Sequence, residues 1–104
     1  MEFEGKVAVI TGAGMGMGKA IAIAFAEEGA SIVVVDVNID TGQETVKTIQ
    51  NKGGQAIFIQ ADVSNASDAQ QIAIDTINAF ERIDVLVNNA GIQHYGSVIE
   101  TTEE

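Results

Sequence analysis

The residues best suited to chemistry here are ones without side chains. Residues 11–18 read TGAGMGMG, with glycine at 12, 14, 16 and 18. So many glycines in one turn are entropically costly unless the backbone must bend sharply or approach something closely. The chemistry open to such a loop is anion binding by backbone N–H groups, strengthened where a helix begins. Three phosphate-loop patterns can be tested. The nucleoside triphosphate pattern GxxxxGK[ST] fails, because Ala13 stands where its first glycine is needed and Ala20 replaces the hydroxyl. GxGxxG fails at Met17. The spacing TGxxxGxG fits Thr11, Gly12, Gly16 and Gly18 without adjustment. In that pattern Gly12 makes the turn, Gly16 lets the backbone approach a diphosphate, and Gly18 lets the helix pack closely on the sheet. Lys19 belongs on an exposed helix face.

A carboxylate follows at a useful distance. Asp36 stands 20 residues beyond Gly16 and ends an apolar run, where it would accept hydrogen bonds from the hydroxyls of an adenosine ribose. The same charge repels a 2′-phosphate, and neither Met15 nor Val37 supplies a compensating base. The expected cofactor is therefore NAD, with NADP disfavoured.

The elements that must carry these residues are legible from periodicity. Lys6–Thr11 reads as a strand and Met17–Glu28 as a helix, with Met17, Ala20, Ile21, Ala24 and Phe25 on its inward stripe and Gly29 as its stop. Ser31–Val37 is apolar on both faces, as a buried parallel strand is. Ile39–Lys52 suits a more polar helix with Val46 and Ile49 inward, and Gln55–Ala61 a third strand. Ser64 is the expected N-cap of a helix reaching about Glu81, with Ile72, Ala73, Ile77 and Phe80 inward. Asp84–Asn89 is the fourth strand. The order βαβαβαβ with short connections predicts an α/β fold with a parallel sheet.

Composition narrows the partners. A chain of 104 residues makes one domain, and 46 % hydrophobic residues without proline mark it as globular rather than disordered. The formal charge of −10 opposes nucleic acid and anionic lipid, and no basic cluster offsets it. The same field opposes an anionic cofactor, but exposed charges are screened beyond about 8 Å, so a local cradle of amides prevails. No apolar run is long enough to cross a bilayer. The acidic start MEFEGK is unlike an export signal, and cysteine is absent, so the expected location is the cytoplasm. No His/Asp/Glu cluster has the spacing of a metal site.

Four segments in order, TGAGMGMG at 11–18, VVVD at 33–36, ADVS at 61–64 and NNAG at 88–91, resemble the short-chain dehydrogenases/reductases. The resemblance runs along essentially the whole chain. It implies a Rossmann-type sheet in the order 3-2-1-4, binding a nicotinamide dinucleotide at the carboxyl ends of its strands. It also implies that Asp62 holds the adenine amino group, that Val63 lines the adenine pocket, and that Asn89, Ala90 and Gly91 approach the cofactor ribose while Asn88 steadies the sheet. The candidate cofactor-binding set is thus Gly12, Gly14, Met15, Gly16, Met17, Gly18, Asp36, Val37, Asp62, Val63, Asn89, Ala90 and Gly91.

The catalytic part of the resemblance is missing. The family uses a serine and a Tyr-x-x-x-Lys pair beyond its fourth strand. Here Tyr95 is the only tyrosine, Ile99 stands where the lysine would be, and no lysine occurs after Lys52. His94 and Ser97 have no sequence partner that would make them an acid/base pair, and a histidine on a polar loop is ordinarily solvated. Thr101 and Glu104 have capping-box spacing for a helix that does not follow, and Val85–Val87 would be left as an open apolar edge. The expectation is an apparently truncated domain: the NAD-binding portion of an alcohol/carbonyl oxidoreductase, completed by a carboxy-terminal half or by homo-oligomerisation. A self-contained NAD-binding module without catalysis, and an interaction fragment using the open edge, remain as alternatives.

Overall fold

Residues 2–89 are described by a computed structural model. β1 (Val7–Thr11), β2 (Ser31–Asp36), β3 (Gln55–Gln60) and β4 (Val85–Asn88) alternate with α1 (Gly16–Glu27), α2 (Ile39–Asn51) and α3 (Ala66–Phe80). The strands form one parallel sheet in the order β3-β2-β1-β4, as the sequence implies. Val9 pairs with Val33 of β2 and Leu86 of β4, which aligns the carboxyl ends of all the strands along one rim.

Strand alternation divides the core. Ala8, Ile10, Ile32 and Val34 face one side, where Ala22 of α1 and Ile49 of α2 cover them. Val7, Val9, Val33 and Val35 face the other, under Ile72 and Phe80 of α3. β1 is buried throughout and β2 along its middle, so each of their valines and isoleucines contributes roughly 1.5–3 kcal/mol of apolar burial.

Several side chains lie one helical position away from where periodicity places them. On α1 the buried centre is Gly18 and Ala22, flanked by partly buried Ile21, Phe25 and Ala26, while Met17, Ala20 and Ala24 are exposed and Lys19 is partly buried. Small residues win the inward line because they let the helix axis approach the sheet. On α3 the inward line is Ile72, Thr76 and Phe80, leaving Ala73 and Ile77 outside. One helix, about 10 Å wide, spans about two strands at their spacing of roughly 4.8 Å. The face over β1 and β4 therefore keeps a groove of about 340 Å³ lined by Val9, Ile72, Ala73, Ile83 and Leu86.

The cap of α3 also differs. Asn65, not Ser64, occupies the N-cap, its Oδ1 accepting from the N–H groups of Ser67 (2.9 Å) and Asp68 (3.3 Å). Ser64 turns back instead, donating from its hydroxyl to Asp62 Oδ1 at 2.7 Å. At the opposite rim, Asp84 accepts from Val7 N–H at 2.8 Å and receives a two-pronged Arg82 guanidinium, also at 2.8 Å, fastening the start of β4 to β1.

Candidate functional site

The site is built where β1 runs out and α1 begins. Gly12 and Gly16 both adopt φ of +63°, a left-handed backbone that L side chains rarely take. At Gly16 a Cβ would meet nothing within 4 Å among the described residues, so they leave the space above this turn open. Gly18 is required for the opposite reason: a Cβ there would collide with the Gly12 carbonyl oxygen and come within 2.8 Å of Asn89 Nδ2. The close packing expected of Gly18 is thus made first against the loop itself.

The amino end of α1 is chemically distinct. α2 is capped by Asn38, whose Oδ1 accepts from Thr41 N–H at 3.1 Å, and α3 by Asn65; each also has an aspartate in its first turn. α1 starts at Met15, which supplies no side-chain cap, and its first turn holds no acid. Of the three described helices, it alone has neither a side-chain cap nor an acid in its first turn to offset the positive end of its dipole.

Asp36, at the end of β2, borders this opening. Its Oδ2 accepts from Gly14 N–H at 2.8 Å and its Oδ1 from Asn38 N–H at 3.0 Å. A carboxylate has about four acceptor positions, so two remain for a ligand's hydroxyls. This bond gives Gly14 a reason absent from the glycine pattern: a Cβ at 14 would stand 2.8 Å from Asp36 Oδ2 and 2.5 Å from Thr41 Oγ1. Val37 follows, 62 % exposed, and the two methionines of the glycine loop, Met15 (66 %) and Met17 (51 %), are exposed as well.

Two supports were not legible from motif spacing. Thr45 of α2 is fully buried, and its hydroxyl lies 2.9 Å from the carbonyl oxygen of Ala13 and 3.3 Å from that of Gly14. Ala13 N–H in turn donates to Val35 O at 3.2 Å. The loop is therefore held from below by α2 and β2. A threonine inside an otherwise polar helix, at an inward position beside Val46 and Ile49, was the available signal.

The remaining candidates lie along the same rim. Asn89 donates from Nδ2 to Gly12 O at 3.3 Å, and Thr11 Oγ1 lies 3.2 Å from Asn88 Oδ1, joining the ends of β1 and β4. Asp62 is exposed just beyond β3; the Ser64 hydroxyl, then the Ser64 N–H, hold its carboxyl below the ordinary carboxylate range. Val63 is half-buried and lines the groove beside Thr11 and Asn88. Ala90 and Gly91 lie outside the described residues, as do His94, Tyr95 and Ser97. A larger hollow of about 610 Å³ opens at the opposite rim, among Glu4, Glu27, Lys52 and Gln55, and its acids make it a poor seat for an anion. Among the described residues no cluster could hold a metal ion, and no helix is long and apolar enough to cross a membrane.

A parallel sheet in the order 3-2-1-4, with a glycine turn feeding an uncapped helix and an acid ending the next strand, defines a Rossmann-type α/β unit. The sequence profile described as short chain dehydrogenase matches residues 6–104, and the chain belongs to that family. It is 52 % identical over 104 residues to an uncharacterized oxidoreductase of Thermotoga maritima, covering all of this chain and 41 % of that protein. It is 45 % identical over 91 residues to the 7alpha-hydroxysteroid dehydrogenase of Escherichia coli K12, covering 88 % and 36 % respectively. Among solved structures, a 7 alpha-hydroxysteroid dehydrogenase complexed with NADH and 7-oxo glycochenodeoxycholic acid superposes with a TM-score of 0.83 at 44 % identity, over 85 % of this chain and 34 % of that one. The chain spans about two-fifths of the length of the curated relatives it matches.

Proposed function

We propose that this chain binds NAD(H) and forms the cofactor-binding portion of an oxidoreductase acting on an alcohol/carbonyl substrate. The observation that carries the reading is the uncapped amino end of α1, open above Gly16 and bordered by Asp36. The diphosphate is held by backbone N–H groups of the loop and first turn of α1. Asp36 accepts the adenosine ribose hydroxyls through the acceptor positions that Gly14 and Asn38 leave vacant, and its charge disfavours a 2′-phosphate, so NAD is preferred to NADP. Asp62 and Val63 border the adenine, and Asn89, with Ala90 and Gly91, approaches the second ribose. The nicotinamide, when bound, supplies the hydride acceptor or donor. We place the protein in the cytoplasm.

One observation favours a second reading for the chain by itself. Ile99 stands four residues after Tyr95, and no lysine follows Lys52, so the tyrosine–lysine pair expected by resemblance is absent from these 104 residues. On that reading the chain binds NAD without turning over substrate. Calorimetric titration with NAD, NADP and ADP-ribose tests the shared claim. Binding of NAD and ADP-ribose, with NADP at least about tenfold weaker, is expected; no heat with saturating NAD would overturn it.

A further inference from the structure

Sulfur in this chain is concentrated at one place. Cysteine is absent and there are three methionines: the first residue, Met15 and Met17. The two core clusters are built from valine, isoleucine, alanine, four phenylalanines and one leucine, with no methionine among the described members. Methionine is ordinarily among the more buried residues, where its flexible thioether fills gaps. Met15 and Met17 do the reverse, being 66 % and 51 % exposed. Glycine flanks them at 14, 16 and 18, so the residues next to either methionine in the loop carry no side chain. Met15 is the extended N-cap residue of α1 and Met17 lies in its first turn, so both exposed side chains spring from the backbone of the proposed diphosphate cradle.

We infer that Met15 and Met17 form a methionine-oxidation site at which peroxide-class oxidants weaken dinucleotide binding. The inference rests on the NAD-binding reading above. In the reaction, a lone pair of the thioether sulfur attacks one peroxide oxygen, the S–O bond forms and the O–O bond breaks. The departing hydroxide takes up the remaining proton and leaves as water; sulfur is oxidised and the peroxide is reduced. In a chain without thiols, exposed thioethers are the foremost targets for such an oxidant. The product replaces an apolar, flexible arm with a polar one whose oxygen bears partial negative charge. Carried on the loop that must receive a diphosphate, it adds bulk and partial negative charge beside an anion, so both effects act in the same direction. Neither side chain supports the core, so the fold survives the modification. A bound dinucleotide covers the loop and slows it.

The test treats the purified chain with dilute hydrogen peroxide, confirms sulfoxide at positions 15 and 17 by peptide mass mapping, and titrates NAD by calorimetry before and after. Kd is expected to rise about fivefold or more, with the thermal midpoint unchanged. Methionine sulfoxide reductase should restore affinity, and saturating NAD during exposure should slow sulfoxide formation. In the double variant Met15→Leu/Met17→Leu, compared only with its own untreated state, peroxide should change Kd by less than about twofold. That variant retains Met1 and so controls for its oxidation. If the doubly oxidised chain binds NAD as tightly as the untreated one, or the double variant loses affinity equally, the inference is overturned while NAD binding stands. If the untreated chain binds no NAD, the cofactor reading fails and takes the inference with it.

Discussion

Asp36→Ala perturbs the site at its most connected atom pair. The carboxylate accepts from Gly14 N–H at 2.8 Å and Asn38 N–H at 3.0 Å, and by the proposed reading it also accepts from ribose hydroxyls. A hydrogen bond to a charged group contributes about 1.5–3 kcal/mol. Two ribose contacts shared on one half-buried acid, discounted for solvent access, give ~2–3 kcal/mol, or about 30- to 150-fold in Kd. The variant also releases the Gly14 amide, which loosens the loop that holds the diphosphate. ADP-ribose should therefore weaken along with NAD. Binding of NADP should suffer less, because the charge that repels its 2′-phosphate is gone, and the NAD/NADP ratio should contract. Calorimetry with all three ligands, beside a thermal melt confirming the folded state, reads each effect. A variant that is folded and binds NAD within about twofold of the parent would refute the assignment of Asp36.

Gly16→Val places a β-branched side chain on a backbone at φ +63° and fills the space above the turn; the strain costs at least about 1–2 kcal/mol, and NAD binding measured by calorimetry should be lost. Thr45→Val keeps the shape of a fully buried residue but removes the hydroxyl 2.9 Å from Ala13 O, so urea denaturation should show a loss of about 1 kcal/mol. Asp84 is held below its ordinary value of 3.8, first by the Arg82 guanidinium and further by Val7 N–H, against desolvation. Its contribution is therefore present above that value and disappears as acid titrates it through the lowered one. Asp84→Asn should destabilise the chain at neutral pH and remove that part of the acid sensitivity from a pH series of melts.

The order of elements and the position of the glycine turn were readable without coordinates, because each depends on local period or spacing, whereas the sheet order was implied by the resemblance to a family. Runs such as SIVVVD declare a buried parallel strand by themselves, and the turn at Gly12 follows from the glycine pattern, whereas the left-handed backbone at Gly16 and its absence at Gly14 and Gly18 were set by the fold. What required the tertiary structure is everything decided by a partner distant in sequence. Asp36 and Gly14 are 22 residues apart, and Thr45 and Ala13 are 32 apart, so no window along the chain contains either bond. The choice of Asn65 over Ser64 as cap turned on Asp62 claiming the serine first. Which face of α1 and α3 turns inward was likewise set by the sheet, whose strand spacing admits Gly18 and Ala22, or Ile72 and Thr76, and leaves the methionines of the loop outside. Periodicity names the elements; packing against the sheet decides their rotation, and that rotation decides which atoms line the crevice.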